Sequence, residues 1–452
     1  MTCSRSPGLG VGVFERALRA SIRRGLGAGL AVALTLGRSA SAQEALISAL
    51  SIDPSITPPQ NEAVIWGPDQ AFLGPVRTSF GVFAGGQYND NINGSEDSPE
   101  GDTILSAGVN LGLLWPATDN SALRFGAAIG YLLYLKHPAD SGLEIAPDSA
   151  LTWRIGFGDA ILSLYDQFSY LQQAVEEPAL ANVATLPRLD NTIGARLSWE
   201  PNQWLLEGGY SFDYFVSPST IDNYLDRDSQ YFFTRYAWRF AENTQAGIEA
   251  SASLTDYLES TEGSVRSLSV GPYGQWQVTQ ATYATGRVGE VFNFFDSSGP
   301  GMPASSLSSY YFGVDINNTP ADFLSDRISV TRETGLGVNP GSGYVEETTG
   351  TASFSLSITP RVSLDGSVTY QRGNQPLESA TVNPYAFGFP VLLQETVKEN
   401  FDYYGGGPTL TWRMTNKFST RLNYSIWRRA SNLPGRAFSQ NIVTLNLNYG
   451  FW

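Results

Sequence analysis

From Val76 to the end of the chain, apolar and polar residues alternate with a period of two, segment after segment. Asp102–Trp115 sets Leu105, Ala107, Val109, Leu111, Leu113 and Trp115 against Ser106, Gly108, Asn110 and Gly112. Ser121–Lys136 sets Leu123, Phe125, Ile129, Tyr131, Leu133 and Leu135 against Arg124, Gly126, Gly130 and Lys136. The last stretch sets Val443, Leu445, Leu447, Tyr449 and Phe451 against Thr444, Asn446, Asn448 and Gly450. Successive side chains of a strand point to opposite faces, so each segment is a ribbon with one apolar and one polar side. Comparable segments recur at 76–90, 143–155, 159–170, 186–199, 204–215, 229–240, 245–257, 264–278 and 283–295. The series continues through 307–317, 324–337, 344–358, 362–371, 399–414 and 418–429. That predicts about eighteen strands (sixteen being the other count the pattern allows), each near the ~10-residue length of a tilted membrane-spanning strand. The expected fold is all-β, a transmembrane antiparallel up-and-down β-barrel.

The connections sort by length. Pro116–Asn120, Gly156–Gly158, Glu200–Gln203, Ala241–Thr244, Thr279–Thr282, Thr359–Arg361 and Thr415–Lys417 are short. Between them fall Asn91–Gly101, Leu171–Thr185, Val216–Asp228, Asp296–Ser306 and the longest, Arg372–Lys398. Tight turns at one rim and long loops at the other are the habit of outer-membrane barrels, with both termini on the tight-turn side. Arg372–Lys398 carries Pro376, Pro384 and Pro390 with Tyr385, Phe387 and Phe389. An apolar rim loop must bury itself, so this one is expected either to fold into the pore or to cover a lid or subunit contact.

Aromatic residues repeat the same sorting. Trp115, Trp199, Trp204, Trp238, Trp276, Trp412 and Trp452 neighbour the short turns, while Tyr88, Tyr134, Tyr214, Tyr257, Phe294, Tyr370 and Phe401 collect toward the long loops. Two girdles at two interfaces fit rings that prefer headgroup depth.

Charge then assigns the faces. An Arg held against hydrocarbon at mid-membrane costs roughly 2–4 kcal/mol, against about zero in a wet lumen. Arg124, Arg154, Arg196, Arg235, Arg239, Arg413 and Arg421 fall opposite the apolar parity, as do Glu207, Asp213, Glu249, Asp315, Glu347 and Asp365. These are the candidate pore-lining residues, of both signs, with guanidinium as nearly the only cation. Asp166, Glu290, Arg332, Glu346 and Asp402 land on the lipid parity. The register therefore asks for a bulge, a subunit contact or a correction at Asp166, Glu290 and Arg332.

Composition agrees: charged residues are 16% and Gly, Tyr and Phe are abundant, which suits neither a helical bundle nor a disordered chain. At the N-terminus Arg16, Arg19, Arg23 and Arg24 precede the apolar Leu26–Leu36 and the small Ala40-Ser41-Ala42. This reads as a cleaved export signal over residues 1–42. A Pro-rich periplasmic linker or tail over 43–75 and the barrel over 76–452 follow. Removing 1–42 would take six arginines and one glutamate and leave 22 basic against 42 acidic residues, a balance of −20. Such acidity argues against nucleic acid as a partner. It would also remove Cys3, the one cysteine, and with it disulfides and thiolate metal sites.

Catalytic chemistry is hard to find. The single histidine, His137, has Ser141 and Glu144 near it in sequence, but no motif binds them. The reading is a loop histidine and not an enzyme. Asn89-Asp90-Asn91 and Asp222, Asp226 and Asp228 lack the spacing of a calcium loop. No cofactor or metal is expected.

The export signal, the Tyr88-Asn89-Asp90-Asn91-Ile92 stretch, the strand rhythm and the aromatic C-terminus together resemble the β-barrel porin group of Gram-negative outer-membrane proteins. The resemblance covers about Val76–Trp452 and implies architecture more than substrate. It implies an outer-membrane channel for small hydrophilic solutes, or an export barrel for an acidic exopolysaccharide; a barrel enzyme is the third and weakest reading. It also implies lipid and the barrel-assembly machinery as partners, allows a homo-oligomer, and makes Tyr449, Phe451 and Trp452 the assembly signal. The chain departs from the group in one respect. Its apolar parity ends on Phe451, with Trp452 as an overhang.

Overall fold

The computed structural model describes residues 71–451 except 173–177, 220–221, 242, 260–262, 297–304, 340–341 and 384–390, and without the side chains of 378–383 and 391–395. The expected signal peptide, most of the expected linker and Trp452 lie outside the described residues. Twenty strands follow in order. They are β1 (Ala71–Leu73), β2 (Val76–Asn89), β3 (Asp102–Thr118), β4 (Ser121–Tyr134), β5 (Gly142–Ile145), β6 (Ala150–Phe157) and β7 (Ala160–Leu171). Next come β8 (Arg188–Trp199), β9 (Trp204–Val216), β10 (Arg227–Ala241), β11 (Thr244–Tyr257), β12 (Val265–Gln277), β13 (Thr282–Phe295) and β14 (Ser305–Ala321). The last are β15 (Leu324–Leu336), β16 (Tyr344–Thr359), β17 (Val362–Asn383), β18 (Val391–Arg413), β19 (Phe418–Ser431) and β20 (Phe438–Gly450).

All neighbours are antiparallel, and β2 pairs with β20 from Gly81↔Gly450 to Asn89↔Ile442, so the sheet closes on itself. β5 and β6 share one position beside β4, and β1 only extends an edge of β2, which leaves a closed wall of eighteen strands. Closure removes the sheet edges that would otherwise leave backbone groups bare in lipid. The expected linker thus ends in structure, since Ala71–Leu73 pairs with Val76–Thr78.

Three of the short turns share a local device. Thr279 Oγ1 accepts from the amides of Ala281 and Thr282, Thr359 Oγ1 from Arg361 and Val362, and Thr415 Oγ1 from Lys417 and Phe418. A hydroxyl that caps its own turn in this way makes a reversal of minimal length.

The outer face is apolar: Leu105, Leu113, Tyr131, Ile193, Leu197, Phe232, Ile248, Val288, Val368 and Leu422 are all exposed there. So are Trp115, Trp199, Trp204, Trp238, Trp276 and Trp412 at the short-turn rim. The opposite girdle is thinner than expected. Tyr88, Tyr214, Phe294 and Tyr370 are exposed, but Tyr134 and Phe401 are buried on the inner face, and Tyr257 is partly buried beside Val265.

Three further expectations change. The strand expected over 143–155 is broken by Ala146–Ser149, where Ser149 takes over the ladder through Ala128 N–H to Ser149 Oγ and Phe168 N–H to Ser149 O. The expected long loop Arg372–Lys398 is mostly strand. β17 and β18 stay paired from Val362↔Trp412 to Asn383↔Val391, so the connection is a long paired hairpin; its aromatic run lies outside the described residues. The charges on the lipid parity do not need a new register. Asp166 sits on the outer face and accepts from Asn191 Nδ2 at 2.6 Å, Asp402 accepts from Tyr370 Oη at 2.6 Å, and Glu290 is exposed.

Candidate functional site: the bore and its crossing loop

Every pore-lining candidate has inner-face parity, but their surroundings differ. On β8 to β11 they form a ladder. Arg196 Nη2 meets Glu207 Oε1 at 2.6 Å, Glu207 Oε2 meets Arg235 Nη1 at 3.1 Å, and Arg235 Nη2 meets Glu249 Oε2 at 2.9 Å. The register explains the spacing, because Glu207, Arg235 and Glu249 are cross-strand partners on one face. The Arg235 guanidinium also lies 3.9 Å above the Tyr273 ring, a cation–π contact that holds its plane. One step toward the short turns, Arg239 pairs with Glu200 at 2.6 Å. Arg196, Glu200, Glu207, Arg235 and Arg239, with Gln245, whose Nε2 donates to Gln275 Oε1 at 2.8 Å, line a polar recess of about 320 Å³.

The other candidates stand apart. Arg124 and Arg154 are neighbours on β4 and β6, and Asp315 is held by Arg327 Nε at 2.6 Å. Asp365 on β17 is buried, with Arg413 and Arg421 on β18 and β19. The sequence-derived set therefore contains the ladder on β8 to β11 and further positions elsewhere on the inner face.

The long-loop half of the bore holds what the candidate list missed. The segment Pro178–Pro187 between β7 and β8, expected to be the end of an outer loop (to Thr185) and the start of a strand (from 186), runs across the bore. Ala179, Leu180 and Leu186 are buried in one cluster with Phe215, Leu225, Val338, Val345, Phe401 and Tyr403. Two buried arginines hold the near side, Arg188 Nη1 donating to Leu186 O at 3.1 Å and Arg227 Nη1 to Leu225 O at 3.0 Å. On the far side the Pro178 carbonyl accepts from Arg429 Nε at 2.7 Å. The Ala179 carbonyl accepts from Gln375 Nε2 at 2.9 Å, Asn339 Nδ2 at 3.0 Å and Arg436 Nη2 at 3.1 Å. Strands β9 to β16 separate β8 from β17 in one direction, so these contacts span the bore.

Glu399 is the hub of that clamp. Its carboxylate is fully buried and takes Arg429 Nη2 at 2.8 Å, Arg436 Nε at 2.9 Å, Ser431 Oγ at 2.6 Å and Gln375 Nε2 at 2.8 Å. A buried charge is tolerable only with such complete pairing. The signal in the sequence was the apolar run Ala179-Leu180-Ala181 within the connection between β7 and β8.

The chemistry considered for His137 does not assemble. Its Nδ1 meets Asp102 Oδ2 at 2.8 Å and its Nε2 meets Glu100 Oε2 at 2.9 Å, while Ser141 Oγ accepts from Tyr134 N–H. Asn89, Asp90 and Asn91 are spent on the seam: Asn89 Oδ1 accepts from Asn91 N–H, and Asp90 takes both donors of Asn441. Among the described residues no group of three His, Cys, Asp or Glu could hold a metal ion.

No family model matches the chain, and no curated protein matches it. Solved structures do. OccK2 (OpdF) of Pseudomonas aeruginosa is 12% identical, with a TM-score of 0.44 over 84% of this chain and 99% of that one. A BenF-like porin from Pseudomonas fluorescens Pf-5 is 11% identical, with a TM-score of 0.46 over 84% and 100%. OccAB1 of Acinetobacter baumannii is 11% identical, with a TM-score of 0.43 over 86% and 100%. Identity and superposition are both low, and the barrel stands on its own closed ladder of strands.

Proposed function

We propose that the protein is an outer-membrane channel through which small hydrophilic solutes diffuse. The observation that carries this reading is an apolar outer face and a charged inner face on one closed wall of eighteen strands. Barrels of this size keep a water-filled bore unless loops fill it. Here Pro178–Pro187 narrows the bore on the long-loop side, and the Arg196–Glu207–Arg235–Glu249 ladder lines it below. A solute passing the ladder exchanges water for fixed donors and acceptors of both signs, which orient a dipolar molecule in a transverse field. No chemical step and no cofactor enter.

Export of an acidic exopolysaccharide would need a track of arginines free of carboxylates. Arg196, Arg235 and Arg239 are each engaged by Glu207, Glu249 or Glu200, so diffusion is the better supported reading. Export to the outer membrane, insertion by the barrel-assembly machinery and any homo-oligomer belong to the same proposal.

Planar-bilayer recording tests it. Reconstituted protein is expected to conduct ions, and Arg235→Ala with Arg239→Ala to shift selectivity toward cations, because Glu249 and Glu200 would lose these ion pairs and Glu207 would keep only Arg196. A silent bilayer sinks the diffusion reading.

A further inference from the structure

The wall is not continuous toward the long loops. β14 and β15 are paired from Ala321↔Leu324 to Phe312↔Arg332 and no further, although β14 begins at Ser305 and β15 runs to Leu336. Beyond that point β14 stays with β13 as far as Ser305↔Phe295, and β15 stays with β16 as far as Leu336↔Tyr344. The two hairpins part like the arms of a fork.

Parity shows where the second arm goes. Ile328 and Val330 on β15 and Phe354 on β16 are exposed on the outer face. The same parity further along gives Thr334, Leu336, Tyr344 and Glu346. Yet Leu336 is fully buried against Val265, with Phe295 beside it, and the Phe295 and Tyr344 rings are 5.7 Å apart. Val265 and Phe295 are cross-strand partners on the inner face of β12 and β13. Ser309, on the inner face of β14, donates its hydroxyl to Glu346 Oε1 at 2.6 Å. The outer face of the β15–β16 arm therefore lies on the inner face of β12 to β14. The arm has folded into the bore, and at its tip Gly337 packs so closely on the Ser342 carbonyl that a Cβ would overlap it.

Arg332 stands in the fork. Its Nη2 reaches Glu346 Oε1 on the bore side at 3.0 Å, and its guanidinium lies 4.5 Å from the ring centre of Tyr310, which is exposed on the outer face. Glu290, the cross-strand partner of Tyr310, adds an outward carboxylate. Behind Arg332 begins the apolar wall of Leu336, Tyr344, Val265 and Phe295. Arg332 Nε and Thr334 Oγ1 are buried there with no hydrogen-bond partner among the described residues, and groups left in that state are uncommon. The ladder from Ala321 to Phe312 has about the length of one spanning strand, so the fork begins near outer headgroup depth. A polar mouth at that depth backed by packed apolar side chains matches the chemistry of a single-chain amphiphile: head group at Arg332 and Glu346, chain against Leu336.

We propose that the fork between β14 and β15 is a lateral portal between the bore and the outer leaflet, closed by Arg332, which admits single-chain amphiphiles. The proposal rests on the membrane-spanning part of the function proposed above. In a Cys3→Ser background, Thr334→Cys sets one thiol just behind Arg332. An alkyl maleimide with a twelve-carbon chain, dissolved in the proteoliposome membrane, is expected to modify it on the order of tenfold faster than Ser251→Cys, on the inner face of β11 away from the fork. Arg332→Ala or Glu346→Gln is expected to accelerate the Thr334→Cys reaction further. Equal rates at the two cysteines, or no acceleration in either variant, overturn the portal. Conductance of the same vesicles separates the two ideas. A conducting barrel with equal rates fails the portal alone, whereas a silent barrel with fast Thr334→Cys modification supports the portal and fails diffusion.

Discussion

Arg429 donates its Nε to the carbonyl of Pro178 at 2.7 Å, joining β19 to a loop rooted on the other side of the bore. The same guanidinium neutralises Glu399, and neither side chain is exposed. Removing one partner of such a pair costs about 3–5 kcal/mol, because the other charge stays buried. Arg429→Ala is therefore expected to lower the unfolding midpoint, to raise single-channel conductance and to make the current noisier as Pro178–Pro187 comes loose. Adding Glu399→Gln should not restore the stability, because Arg436 then loses its carboxylate, and should keep the higher conductance. Unchanged conductance in both variants would mean that the clamp does not hold the constriction.

The β17–β18 hairpin leads to the opposite expectation. Its two strands stay paired with each other to Asn383↔Val391, beyond the last partners that β16 and β19 offer them at Asn374 and Phe401. Excising 378–394 should leave conductance unaltered. A clear rise after excision would count against this and restore the pore-narrowing role that the apolar composition of Arg372–Lys398 suggests.

His137 makes the outer rim sensitive to pH. The hydrogen bond to Asp102 raises its pKa above 6.5, helped by Glu100 and opposed by partial desolvation. A pKa raised by folding means that the protonated ring stabilises the fold. That contribution is complete below about 6.5 and is lost as pH rises through the folded-state value. The tie from His137 to Glu100 and Asp102 braces the loop Asn91–Gly101, in which Ile92 N–H donates to Glu100 O at 2.7 Å. Hydrogen exchange at Ile92 should rise from pH 6 to 9 more steeply than the intrinsic rate, and His137→Gln should remove the excess. An identical slope in the variant would show that the ring bears no part of the load.

Which parts of this could be read from the chain follows from what a period of two encodes. A slip of one residue would turn every apolar side chain of a strand inward, so the inner positions of Arg235, Glu249 and Asp315 were legible from alternation alone. Parity names the face of a ribbon but not the path of the ribbon. Leu336 and Tyr344 keep outward parity and are nonetheless covered, because their arm folds inward. The clamp was illegible for another reason. Pro178, Asn339, Gln375 and Arg429 are brought together by closure of the barrel, and no local spacing links them. Ala179-Leu180-Ala181 did carry a signal, an apolar run that must bury itself, but the longer aromatic run at Tyr385–Phe389 carried the same one more loudly.

The seam between β2 and β20 is fastened at both ends, by different chemistry. At the long-loop end Asp90 Oδ1 accepts from Asn441 N–H at 2.7 Å and Asp90 Oδ2 from Asn441 Nδ2 at 2.6 Å, while Gln440 Nε2 donates to Asn91 O at 2.8 Å. At the short-turn end Phe451 N–H donates to Phe80 O at 2.9 Å, the two rings stack at 5.2 Å, and Lys417 Nζ caps Phe451 O at 2.8 Å. Hydrogen bonds to a charged group contribute about 1.5–3 kcal/mol each, so Asp90→Ala should lower the heat-unfolding midpoint of an assembled barrel. Loss of Phe451 acts earlier, on closure itself, since it removes its seam bond to Phe80 O and its stacked ring together. Deleting Phe451 and Trp452 should abolish recovery of heat-modifiable barrel from outer membranes, and deleting Trp452 alone should not. If the single deletion also blocks assembly, recognition reads the final residue itself, and the Phe80–Phe451 stack is only a consequence of closure.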